Sequence, residues 1–97
     1  MKIIFLDAAQ SEFDDTIDYY EEQRSGLGFE FADEVEQALE RVNHYPDAWS
    51  PLSLRVRRCL MNRFPYSVIY EVRSEMIVIV AIQNYHREPE SWRSRVK

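Results

Sequence analysis

Cysteine, glycine and long apolar runs are scarce in this chain of 97 residues. Cys59 is the single cysteine, so no intramolecular disulfide can form; the chain must hold itself together by packing, as suits a reducing compartment. The two glycines both fall in Ser25-Gly26-Leu27-Gly28, which excludes long flexible linkers. The longest apolar run, Met76 to Ile82, is far short of the roughly 20 residues a membrane-crossing helix needs. The apolar stretch within the N-terminal MKIIFLDAAQ is too short for a signal peptide. These absences predict a soluble, cytoplasmic protein with no membrane partner, built as one domain over residues 1–97. Metal-ligand spacing, a phosphate-binding glycine loop and a Ser-His-Asp pattern are all missing from the sequence, so no metal, cofactor or small-molecule ligand is expected.

Positive charge is scarce in one half only. Residues 1–50 hold three Lys and Arg against thirteen Asp and Glu, a balance of −10. Residues 51–97 hold nine against four, a balance of +5. A chain with a pI near 5.0 is not a generally basic nucleic-acid binder. Any anionic target has to be met by the arginine-rich half alone.

What is present divides cleanly by periodicity. Lys2 to Leu6 is apolar and β-branched, a first strand. Asp7 is placed to cap a helix, with Gln10 three residues on as the other half of a capping-box-like pair. Ala9, Phe13, Ile17, Tyr20 and Arg24 then recur at helical spacing, which predicts a helix from about Ala8 to Arg24. Gly26 suits the left-handed position at the break. Phe31, Val35, Ala38, Leu39 and Val42 predict a second helix, from about Gly28 to Asn43, antiparallel to the first. The acidic residues cover the outer faces of both. Pro46 and Pro51 bound a loop whose Tyr45 and Trp49 are expected to plug the end of the core.

The second half reads as strands over Leu54 to Met61, Phe64 to Val72 and Met76 to Tyr85. In the middle one, Phe64, Tyr66, Val68, Tyr70 and Val72 share a face. Only Arg73 to Glu75 separate the last two, so they form a tight hairpin. The expected fold is α+β, ordered β-α-α-β-β-β, with the helix hairpin on one face of a mainly antiparallel four-stranded sheet and the other face open. On the first of these strands Arg55 and Arg57 share parity. Arg58 has the parity of the apolar set and needs a bulge or an edge position to leave the core. Arg63 lies at the next connection. The tail from His86 to Lys97 carries Arg87, Arg93 and Arg95, with Pro89 opposing regular structure and Trp92 as its one large apolar group. Convergence of these arginines at one end of the open face would make a site for a planar anion such as phosphate or carboxylate.

The run VRRCLMNRFPYSVIYEV, then IVIVAI and HREPESWRSR, resembles the second half of RelE/ParE-family toxins, the toxin components of type II toxin–antitoxin (plasmid-stabilisation) modules. The first half is similar in form: a strand, a helix holding Asp18-Tyr19-Tyr20, a glycine turn, and a second helix ending before a proline. The resemblance implies growth inhibition through one of two targets and neutralisation by an antitoxin protein. A ParE-like member would bind DNA gyrase, here through Arg55, Arg57, Arg58, Arg63, Arg87, Trp92, Arg93 and Arg95. A RelE-like member would cut mRNA on the ribosome, with Arg58, His86 and Arg87 as the catalytic candidates, since phosphate charge must be neutralised and a proton supplied to the leaving oxygen. Two departures favour the first: Ser67 stands where such nucleases usually have Arg, and Trp92 roughly where others have a catalytic Tyr. The activity is thus not fixed as enzymatic, and a non-toxic binding module on the same fold is a third reading. The antitoxin is expected along a sheet edge and the groove beside the helix hairpin, near Phe13, Ile17 and Tyr20.

Overall fold

The computed structural model describes residues 1–86 and 90–96. The elements run β1 (Lys2–Phe5), α1 (Asp7–Gln23), α2 (Leu27–His44), β2 (Ser50–Pro51), β3 (Val56–Leu60), β4 (Tyr66–Arg73), β5 (Met76–Asn84) and a C-terminal 3-10 helix, Ser91–Arg95. The sheet has five strands in the order β1-β5-β4-β3-β2, one more than expected. The addition is the two-residue β2, which pairs antiparallel with β3 and lies at the edge. Pro51 has no N–H to donate, so an edge is where such a strand can sit. β1 pairs parallel with β5; the other pairings are antiparallel.

Each helix end has a specific cause. Gly26 takes φ 88°, the left-handed conformation foreseen for it. A Cβ on Gly28 would lie 2.6 Å from the Ile17 carbonyl oxygen, so the two helices approach closely there. The start of α2 is capped from the neighbouring helix: the Glu21 carboxylate accepts from Gly26 N at 2.9 Å and Gly28 N at 3.1 Å. The capping box at Asp7 does not form. Leu6 occupies the N-cap without a side-chain bond, and the Gln10 amide donates instead to Asp14, one turn along.

The helix hairpin covers one sheet face. Phe31, Val35, Ala38, Leu39 and Val42 from α2 meet Cys59, Phe64, Val68, Tyr70, Ile77, Ile79 and Ile82, with Tyr66 and Val72 packed against them. The alternation in β4 is therefore as the sequence implied. In β5, Ile69 pairs Ala81 while Tyr70 pairs Ile79, so Val80 is an extra residue, a β-bulge. The bulge shifts the phase of an apolar run in which either phase would have been buried. Trp49 packs on the end of the core, but Tyr45 is exposed: the Tyr70 hydroxyl donates to the Pro46 carbonyl and closes that end without it.

The opposite face is not left open. Val56, Ile69, Val80, Ala81 and Trp92 form a second buried cluster, with Leu6, Leu52 and Val96 against it. The tail folds back as the 3-10 helix and puts the Trp92 indole on the sheet. No helix among the described residues is long and apolar enough to cross a membrane.

Candidate functional site

The arginines predicted to converge are divided by their partners. Arg63 leaves the β3–β4 connection toward the helical layer and donates to Glu30 of α2 at 2.7 Å. The same carboxylate takes Arg24 at 3.2 Å. The hydrogen bond from Arg63, more than the charge of Arg24, holds the Glu30 carboxyl below its ordinary pKa. Buried Glu34 fixes this connection as well, accepting from the backbone N–H of Asn62 and Arg63.

Arg57 and Arg58 face opposite ways, because neighbours on a strand alternate. Arg57 shares the helix-side face with Cys59 and donates to the Trp49 carbonyl at 2.8 Å. It does not point with the anion-facing set. Arg58 shares the other face with Val56 and Leu60, so it leaves the main core with no bulge of its own. Its Nε is buried with no hydrogen-bond partner among the described residues. Ser67 lies buried in the adjacent row, opposite Leu60 and Gln83.

Arg93 folds onto its own 3-10 helix, pairing with Glu90 at 2.8 Å and lying over the Trp92 ring at 4.7 Å. Trp92 is 1% exposed, so it clamps the tail and does not offer an indole to a partner. His86 is exposed past the end of β5, edge-on to Tyr85. Arg87 lies outside the described residues. Phe13, Ile17 and Tyr20 pack inward on the main core; Tyr20 sits 4.8 Å from the Phe64 ring. Their helical spacing thus serves the core, and each stays half-buried, so part of the stripe is still open to solvent.

Arg95 is the most committed of the tail cations. Its Nη1 donates to Glu12 Oε1 at 2.7 Å and to the Val80 carbonyl at 3.0 Å, and its Nη2 to Glu12 Oε2 at 2.9 Å. Glu12 Oε1 also accepts from Ile82 N at 3.1 Å. The reason lies in the sheet. β1 ends at Phe5, and Leu6 N reaches Ile79 O as the last rung. Beyond that rung the β5 edge has lost its neighbour, and a carboxylate from α1 with a guanidinium from the tail supply an acceptor and a donor in its place.

One grouping of guanidiniums does occur on the face away from the helices. Arg55, Arg73 and Arg95 line a hollow of about 380 Å3 with Glu71, whose side chain is buried and bonded to Arg73 Nε. Neither Arg73 nor Glu71 is among the contact residues expected from the sequence. Their shared parity at the end of β4 was the available signal. Two further surfaces flank the sheet. Ile3, Phe5 and Leu39 with Glu36, Glu40 and Asn43 line a groove of about 330 Å3 beside the free edge of β1. Glu12, Asp15 and Thr16 face Ile82 to Asn84 across an acidic hollow of about 510 Å3 at the β5 edge. No metal-holding group of His, Cys, Asp and Glu occurs among the described residues.

Residues 3–89 match the family described as the ParE toxin of the type II toxin–antitoxin system, parDE. No protein of curated function matches the chain in sequence. In fold it is similar to a solved chain of the chromosomal ParDE TA system from P. aeruginosa, with a TM-score of 0.64 and 19% identity, over 87% of this chain and 95% of that one.

Proposed function

The chain belongs to the ParE toxin family of type II toxin–antitoxin systems, and on that premise we propose that it arrests growth in the cytoplasm by binding DNA gyrase and is neutralised by a cognate antitoxin. The observation that carries the reading is the makeup of the face opposite the helices. It presents Arg55 and Arg73 with half-buried Arg58, while Ser67, where such nucleases usually have Arg, and Trp92, roughly where others have a catalytic Tyr, are both buried. Guanidiniums of this kind suit protein contact through carboxylates. Arg93 and Arg95 contribute by holding the tail in place, and Arg63 and Arg57 by fixing connections.

The antitoxin belongs at the free edge of β1. That strand offers unpaired backbone groups, and the groove beside it has an apolar floor of Ile3, Phe5 and Leu39 rimmed by Glu36 and Glu40. An amphipathic segment with basic residues fits it, by strand addition or as a helix in the groove.

The test is a supercoiling assay with purified gyrase and purified chain. Inhibition, or trapped cleavage complexes, is the expected result, weakened in Arg58→Gln and abolished by antitoxin. Full supercoiling with equimolar toxin, together with new 5′ ends within codons of cellular mRNA after induction, would replace the gyrase reading by ribosome-dependent cleavage. Growth without arrest after induction in a matched host would leave a non-toxic binding module.

A further inference from the structure

Two hollows on the face away from the helices share Arg55 and Glu71 in their walls, and so lie side by side as one grooved surface. The first is the cationic one, walled by Arg55, Arg73 and Arg95. The second, also about 380 Å3, is lined by Ser53, Leu54, Arg55, Val56, Glu71 and Val96. We propose that this groove binds an acidic–apolar segment of a partner protein, one carboxylate seated between Arg55 and Arg73 and a neighbouring apolar side chain against Leu54 and Val96.

The charges support an anionic ligand. Glu71 is buried and bonds Arg73 at Nε; Arg73 lines the groove, and its terminal nitrogens have no partner among the described residues. Arg95 is held by Glu12 and serves as a wall. Arg55 is exposed and has no carboxylate partner among the described residues. Two guanidiniums against one carboxylate leave a single positive charge, which a carboxylate neutralises with two oxygens for two forks.

The apolar half decides between a protein and a nucleic acid. Leu54 is 95% exposed, at the tip of the β2–β3 connection and next to Arg55. An apolar side chain held wholly in water gains free energy in proportion to the area a partner covers. None of the described residues lining the groove is aromatic, so bases would lack the ring faces on which single-strand binders stack them. An aspartate or glutamate beside a leucine-like residue satisfies both halves.

This inference deepens the gyrase-binding reading by naming the chemistry that one part of the surface selects, and it is tested on the free chain without gyrase, so that either can fail alone. The probe is a labelled peptide of alternating aspartate and leucine, followed by fluorescence anisotropy. Saturable binding is expected, about tenfold weaker in Arg55→Gln, the cost of one charge-assisted pair. Leu54→Ser should weaken it several-fold, and Arg24→Gln, on the helical layer, should leave it unchanged. Both groove positions are exposed, so these variants keep the fold, which circular dichroism checks. Four results would each overturn the proposal: no binding of the peptide, equal binding by Arg55→Gln, equal binding of the asparagine–leucine peptide, or tighter binding of oligothymidylate. Self-association of the chain that Arg55→Gln abolishes would do so too, naming a second copy as the occupant.

Discussion

Replacing Glu12 by alanine tests the idea that side chains stand in for a missing strand beside β5. The carboxylate accepts three hydrogen bonds, from Ile82 N and from both terminal nitrogens of Arg95. Hydrogen bonds to charged groups contribute about 1.5–3 kcal/mol each in mutational series. The side chains of Arg95 and Glu12 are 22% and 27% exposed, so water recovers part of the loss. A total near 3 kcal/mol for Glu12→Ala is the reasonable figure, and about half that for Glu12→Gln, which keeps one acceptor. For a domain of this size that lowers the midpoint by about 12–24 °C. Urea and thermal unfolding measure the change, and hydrogen exchange follows the Ile82 amide. The cycle with Arg95→Met should show a coupling of about 1–2 kcal/mol. Additive single losses with unaltered exchange at Ile82 would refute the reasoning.

Three other outcomes follow from the same geometry. Trp92→Ala should cost about 3–5 kcal/mol, as for other buried aromatics, and expose the tail to protease; a loss under about 1 kcal/mol would mean the indole does not clamp it. Tyr70, pushed up to about 12 by burial, should be the last of the six tyrosines to ionise in a phenolate absorbance titration. Its pKa is raised in the fold, so its contribution is intact below the ordinary value of about 10 and lost as pH rises toward 12; Tyr70→Phe should remove that alkaline loss, and a titration in which every tyrosine ionises together would contradict it. Glu30 is depressed by Arg63, so its contribution is present above the usual carboxylate range and falls away as pH drops through the lowered value. Acid unfolding of Arg63→Gln should therefore begin at a higher pH than that of the parent; coincident curves would count against the pair.

The sequence alone determined the order of the main elements and the inward faces of both helices and of β4. Helical spacing of Phe31, Val35 and Val42, and alternation from Phe64 to Val72, are local patterns that a buried face imposes whatever lies opposite. The same locality hid the rest. Helical spacing marked Phe13, Ile17 and Tyr20 as apolar but could not say whether core or partner covers them. The apolar run from Met76 to Ile82 fits either phase, so the bulge at Val80 left no trace in it. Trp92 looked like a lone anchor in a polar tail until the tail folded back over Ile69 and Ala81. Only the tertiary structure decided which arginines are available, since Arg95 meets Glu12 across 83 positions and Arg63 meets Glu30 across 33. Charge composition is additive along a chain, but pairing depends on distances that exist only once the sheet and helices are packed.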